Sequence, residues 1–272
     1  EDSKYLTGLV AVAGRSVAQL VRPPSHSRRA LAARRLARHS LLIAVTLGAF
    51  IIALMYVFDA RGIGLMPPRG TPNLWPVRIL TEFGKDSYVL LALGTMLLAV
   101  ALVSAALPTS SRAQLLSFGM RLQFLFLAVL TPLLAGEALK WAVGRGRPFV
   151  GGAANAFNFA PFSGTEAYAS FPSAHAVTAF ALAFAASAVW PRARLVMIVY
   201  ALAIAATRLV LLSHHPSDVL AGALIGVVGA MSVRYWFAAR RLGFAIRRDG
   251  KIVPLRSVSS RFKGVARKAS AP

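Results

Sequence analysis

The sequence predicts an all-α polytopic membrane protein, a bundle of six transmembrane helices, and three observations carry that reading. Of 272 residues, 57% are apolar and only 15% charged, with a mean hydropathy of +0.61, whereas a soluble domain carries about 25% charged residues. The apolar residues gather in six runs near the length of a spanning helix, about 20 residues. The 31 basic residues outnumber nine acidic ones, for a net charge of +22, and sit in the flanks of those runs rather than on one polar face. Anionic headgroups are therefore the expected partner of the basic flanks, and nucleic acid is not.

The six runs cover residues 41–58, 88–107, 115–143, 174–190, 195–212 and 219–237. The third is longest and carries Arg121, Glu137 and Lys140, so its ends emerge from the hydrocarbon and the span narrows to about 122–139. Pro108, Pro148, Pro172, Pro191 and Pro216 fall at or near run ends, where a helix tolerates or requires one. No internal repeat is present. With six spans, both termini share a side with the connections after the second and fourth. That side holds the basic flank up to Arg38, then Arg112, Arg121, Arg192, Arg194 and the tail from Arg234 to Lys268. Most of the cations lie there, which places both termini in the cytoplasm.

The expected organisation is a basic cytoplasmic or interfacial segment at 1–40, the six-helix domain at 41–238 and a basic cytoplasmic tail at 239–272. Within the first segment, 28–38 interleaves Ala and Leu with five Arg, as a surface-lying helix does. Its first-order role is to fix topology. The stretch 6–21 is broken by Arg15 and lacks the order of a cleaved leader. Residues 59–87, rich in Pro and Gly with Trp75, form an external connection with a short interfacial helix and a rim over an external site.

The absence of cysteine excludes disulfides, a thiolate nucleophile and Cys-based zinc sites. Nine acidic residues without a close carboxylate cluster argue against a two-metal hydrolase. Chemistry must then run on His, Arg, Lys and Ser. Ionisable residues at a membrane edge mark function by default, and on the sparsely charged side they concentrate in 140–148, 171–175 and 208–218. Antiparallel spans bring those three stretches to one mouth, a set shaped for a tetrahedral oxyanion.

Phosphate-ester cleavage needs fixed cations and N–H donors that match the charge on the equatorial oxygens. Lys140, Arg147 and Arg208 supply cations, while Ser173 offers a hydroxyl beside the free N–H groups of a helix start. A neutral imidazole can attack phosphorus if a carboxylate orients it, and Asp218 lies four residues beyond His214. His175 can protonate the departing alkoxide and then activate water. This scheme requires no metal and no other cofactor.

The three stretches read KWAVGRGRP from Lys140, PSAH from Pro172 and TRLVLLSHHPSD from Thr207. They resemble the signature of the type 2 phosphatidic acid phosphatase (PAP2) superfamily, Lys-x6-Arg-Pro, Pro-Ser-Gly-His and Ser-Arg-x5-His-x3-Asp, in its order and spacing. The resemblance implies a six-helix membrane phosphatase in which Lys140, Arg147, Ser173, Ala174 and Arg208 bind phosphate. It also implies that His214 is the nucleophile, forming a phosphohistidine, that Asp218 orients it and that His175 is the acid/base. Ala174 stands where the family has Gly, keeping the N–H and adding a methyl that is strained if the site needs a positive φ. Thr207 replaces Ser and keeps the hydroxyl.

Two neighbours compete. His215 adjoins the nucleophile and only the register between Arg208 and Asp218 selects His214; Arg145 competes with Arg147, and Pro148 alone decides. Glu137, three residues before Lys140, is placed to pair with it. His26 and His39 belong to the solvated basic flank. The expected function is hydrolysis of a lipid phosphate or diphosphate, with relatives acting on undecaprenyl diphosphate, phosphatidylglycerol phosphate, phosphatidic acid or lipid A 1-phosphate. The alternatives are a lipid phosphotransferase on the same scaffold, a non-enzymatic lipid or anion transporter and, last, a haloperoxidase using a similar oxyanion pocket. The family type implies a bacterial cytoplasmic membrane, and the charge bias puts the expected site on its outer face. The sequence carries no signal for an oligomeric state.

Overall fold

The computed structural model describes residues 2–152, 154–247 and 251–255. Among these residues nine α-helices follow in order: α1 Asp2–Val21, α2 His26–Val57, α3 Asp59–Gly64, α4 Trp75–Glu82, α5 Asp86–Ala106, α6 Thr109–Val143, α7 Ala174–Val189, α8 Arg194–Val210 and α9 Pro216–Arg240. Short 3-10 turns at Pro72–Leu74, Glu166–Tyr168 and Pro191–Ala193 lie between them. The strands β1 Phe244–Ile246 and β2 Ile252–Pro254 pair antiparallel, with Phe244 opposite Pro254. The molecule is an all-α polytopic membrane protein.

Each expected run lies in its own helix. Among the described residues five helices, α2, α5, α6, α8 and α9, are long and apolar enough to cross a bilayer by length and composition. The fourth expected span, α7, has 16 residues, about 24 Å at 1.5 Å per residue against a hydrocarbon core of about 30 Å. Exposed Leu41, Val45, Ile52, Leu91, Leu98, Leu195 and Val196 line α2, α5 and α8, the surface a lipid-facing helix presents.

The structure adds local detail at three places. Residues 28–38 are no separate surface helix but the first turns of the 32-residue α2, because no Pro and only Gly48 interrupts His26–Val57. Arg15 interrupts the apolar run 6–21 but not the helix, its Nε folding back on the Ala11 carbonyl at 3.2 Å inside α1. The tail begins with the β1–β2 hairpin. The tail cations Arg248, Arg256, Arg261, Lys263, Arg267 and Lys268 lie outside the described residues.

The chain divides into two units. The first comprises 1–35, 92–126 and 233–272; in it the Phe124 ring meets Phe237 and Phe244 edge-on at 5.3 and 4.7 Å. The Arg234 guanidinium donates to the Ile252 carbonyl at 2.9 Å, fastening the hairpin to α9. The second comprises 36–91 and 127–232 and contains all three motif stretches. Its centre is α7, whose Ala176, Ala179, Ala181 and Ala185 are buried. A Cβ on Gly222 or Gly226 of α9 would stand 2.5 Å from the Ser173 or Val177 carbonyl oxygen, so only glycine lets the two backbones meet there.

Candidate active site

Beyond α6 the chain turns at Gly144 (φ 56°) and carries Arg145 into the protein, where its side chain is fully buried. A buried guanidinium is tolerated only if its donors are paired. Nη2 bonds the Asp59 carboxylate at 2.8 Å, and Nη1 bonds Asp218 at 2.5 Å and the Ser217 hydroxyl at 2.7 Å. Nε and Nη2 both donate to the Ala156 carbonyl, at 3.0 and 2.7 Å. Asp59, at the start of α3, also accepts from the Ser217 N–H at 3.0 Å and from the Ser217 hydroxyl. One arginine thus ties the first connection to the opening turn of α9.

Asp218 is the hub of this network. Its second carboxylate oxygen accepts from the Ser170 hydroxyl at 2.6 Å, the His215 N–H at 2.8 Å and His215 Nδ1 at 3.1 Å. Its main-chain carbonyl accepts from the Ser173 N–H at 3.1 Å. The direct Asp218–His214 contact expected from the sequence is not the one the structure makes. His214 Nδ1 donates instead to the Ser170 carbonyl at 2.8 Å. Asp218 reaches His214 through Ser170, because His215, three residues before it on the same turn, occupies the carboxylate.

A carbonyl only accepts, so Nδ1 carries the hydrogen and Nε2 keeps its lone pair. Burial is the largest influence on His214, and with the charges of Arg208 and Arg147 it outweighs Asp218 and pushes the pKa down to about 3. The ring is neutral near pH 7, the protonation state a nitrogen nucleophile needs.

Around it stand cations with unspent donors. Arg208, buried in the last turn of α8, donates through Nη1 to Thr81 Oγ1 of α4 at 2.9 Å. Thr207 supports the same hydroxyl at 3.0 Å. The Arg147 side chain is 29% exposed, and its one ion pair, at 3.5 Å, is to Glu166, itself 94% exposed. Arg147 and Arg208 act on each other's charge. Arg147 Nε, Arg208 Nε and Ser173 Oγ are buried without a hydrogen-bond partner. Ser173 occupies the N-cap of α7 without making a side-chain cap, so its hydroxyl and the first free N–H groups remain for an anion.

Lys140 is paired with Glu137, as the spacing suggested. His175, in the first turn of α7 and half-buried, lies within the fields of Arg208, Lys140 and Arg147. Ala174 is the first residue of α7 and is not among the positive-φ residues, so the methyl in place of Gly meets no backbone strain. Arg69 clamps two site loops, bonding the Pro148 and Leu212 carbonyls at 2.8 and 2.9 Å.

The structure therefore brings Arg147, Ser173, His175, Arg208, His214 and Asp218 into one region of the second unit. It adds Asp59, Arg69, Thr81, Ser170 and Ser217, which the sequence reading missed. Asp59 carried a signal, since an acid closing an apolar run is costly at a membrane edge. Among the described residues, no group of three His, Asp or Glu is placed to hold a metal ion.

Comparison with known proteins identifies the family. The PAP2 superfamily model matches residues 121–242. A lipid A 1-phosphatase of Rhizobium johnstonii is 33% identical over 207 residues, 76% of this chain and 84% of that protein. A lipid A 1-phosphatase of Rhizobium etli is 32% identical over 208 residues, 76% of this chain and 88% of that protein. No solved structure matches. With three motif stretches on one buried network and relatives aligned over most of their length, this chain belongs to the PAP2 superfamily.

Proposed function

We propose that this lipid phosphatase removes the 1-phosphate of lipid A, or of a closely similar glycolipid, through a phosphohistidine at His214. The observation that carries the mechanism is the neutral His214, its Nδ1 hydrogen given to Ser170, among three buried unpartnered groups on Arg147, Arg208 and Ser173. The substrate assignment rests on the two named relatives.

In the first step His214 Nε2 attacks phosphorus, the P–O bond to the sugar breaks and the departing oxygen takes a proton from His175. Arg147, Arg208, Ser173 and the Ala174 N–H hold the equatorial oxygens as charge develops on them, and Lys140, paired with Glu137, adds its field from beside His175. Binding the dianion places negative charge beside His175 and favours its protonated form. In the second step His175 takes a proton from water, the water oxygen attacks phosphorus and the P–N bond breaks. Inorganic phosphate leaves and both histidines return to their starting states. The positive charge His214 carries as phosphohistidine is offset by Asp218, whose field already reaches that ring.

The charge bias of the flanks supports a bacterial inner-membrane protein with cytoplasmic termini and an outward-facing site. Residues 41–238 would form the catalytic bundle and the basic ends its cytoplasmic flanks. Inorganic phosphate release by purified protein, with chelator present, tests the assignment on lipid A, phosphatidylglycerol phosphate, phosphatidic acid and undecaprenyl diphosphate. Release from lipid A at a rate at least tenfold above the others supports it. Preference for any other member of the panel overturns the substrate.

A further inference from the structure

In the first unit, which contains none of the motif stretches, α1 ends at Val21 and α2 starts at His26 across Pro23 and Pro24. Two prolines in succession cannot continue a helix, and Arg22 and Arg28 are left on either side of the break. A cavity of about 530 Å³ opens there, lined by Arg22, Arg28, Arg240 and Arg241 with Gln19 and Met120 among its neighbours. Its volume is within the range of small-ligand sites. No acidic residue lines it.

Arg28 Nε bonds the Ser25 hydroxyl at 2.6 Å. Arg240 lies over the Trp236 ring at 3.5 Å, and its Nε is buried without a partner. Among the described residues, none of the four is in an ion pair. The charge of Arg29 also reaches Arg240. Like charges lining one pocket are unfavourable unless an anion joins them.

The backbone adds an independent sign. Helix α9 closes with the Leu242 N–H on the Phe237 carbonyl at 2.9 Å and the Arg241 N–H on Ala238 at 3.1 Å. That is the paired bond pattern of a helix end whose left-handed residue is usually glycine. Here the residue is Arg241, at φ 60°. A side chain kept in a conformation that favours glycine is a strain outlier, from which a functional hypothesis legitimately starts.

We propose that this pocket is a second anion site, distinct from the catalytic one, which binds a phosphate-bearing ligand between the guanidinium forks of Arg22, Arg28, Arg240 and Arg241. Arginine forks suit phosphate oxygens better than a point charge does. The ligand is either the headgroup of an anionic phospholipid or a free phosphate ester. On the orientation proposed above the pocket belongs to the cytoplasmic side, where anionic lipid is the abundant form.

The test uses the full chain in neutral detergent and titration calorimetry with three probes: dihexanoyl phosphatidylglycerol, dihexanoyl phosphatidylcholine and inorganic phosphate. Wild type is compared with the doubly substituted Arg22→Gln/Arg241→Gln protein, and an unchanged melting temperature certifies its fold. Arg28→Gln/Arg240→Gln serves in its place if that first protein melts early. Phosphate bound at the catalytic cations is common to all forms and cancels in the comparison. At least tenfold weaker phosphatidylglycerol binding in the variant, with no phosphatidylcholine binding, identifies a lipid headgroup site. A tenfold loss for inorganic phosphate alone identifies a free phosphate ester. A smaller loss for both probes overturns the site. These readouts do not depend on turnover, so they stand apart from the proposed hydrolysis.

Discussion

Arg145 and Arg147, two residues apart in one motif, should have opposite phenotypes. The Arg145 side chain is fully buried between Asp59 and Asp218, and Arg145→Met leaves both carboxylates without their cation. Breaking one buried pair by removing a partner costs about 3–5 kcal/mol. At roughly 2–4 °C per kcal/mol for a chain of this order, melting should fall by about 6–20 °C. Adding Asp59→Asn removes one stranded charge, so the double variant should recover part of the loss, with a coupling of about 2 kcal/mol in the cycle. Arg147→Met breaks only the exposed pair with Glu166, worth about 0–1 kcal/mol, and should melt within about 4 °C of wild type. Its turnover should nonetheless fall about 10²–10³-fold, the loss typical of one oxyanion donor. The assay is tryptophan fluorescence melting in detergent alongside phosphate release. An Arg145→Met protein that melts like wild type, or additive single effects with Asp59→Asn, would refute the buried lock.

Because His214 is held neutral in the fold with a pKa of about 3, the unfolded chain, near 6.5, takes up the proton first. Its contribution is therefore fully present above about pH 6.5 and is lost as pH falls toward 3, at about 1.4 kcal/mol per unit. Between pH 6.5 and 4.5 wild type should lose melting temperature faster than His214→Gln; equal slopes would contradict the buried neutral ring. Asp218→Asn should lower kcat far more than it changes KM, since Asp218 acts through Ser170 and by its field rather than on phosphate; a loss confined to KM would sink that role. Ser170→Ala keeps the carbonyl that holds His214, so it should cost less kcat than Asp218→Asn, and an equal loss would show that the hydroxyl is the essential element. His215→Ala should retain most of the turnover while melting early, because the ring is buried against Asp218; loss of all turnover with intact melting would move the nucleophile to His215.

The helices and the charged motif residues were legible because a bilayer is a demanding solvent. It forces long apolar runs and makes each ionisable residue at a run end conspicuous, which is why Arg208 and Asp218 could be read from spacing alone. The supports were hidden for physical reasons. Asp59 meets Arg145 across 86 residues and Thr81 meets Arg208 across 127, separations that no local period encodes. Ser170 holds His214 with a main-chain carbonyl, a group every residue possesses. Pro148 alone favoured Arg147 over Arg145 in the sequence; in the fold Arg145 is fully buried between two carboxylates, while Arg147 is partly exposed. The 59–87 connection, expected as a rim, supplies Asp59, Arg69 and Thr81 as anchors of the site loops.

The most direct test of the account is to trap the intermediate. Purified protein is mixed with lipid A for less than one turnover, quenched in alkali and digested, and the peptide containing His214 and His215 is sequenced by mass spectrometry. The account predicts a phosphoryl group on His214, greater accumulation in His175→Ala when a substrate with a good leaving group is used, and none in His214→Ala. Phosphate on His215, or full turnover by His214→Ala, would contradict it.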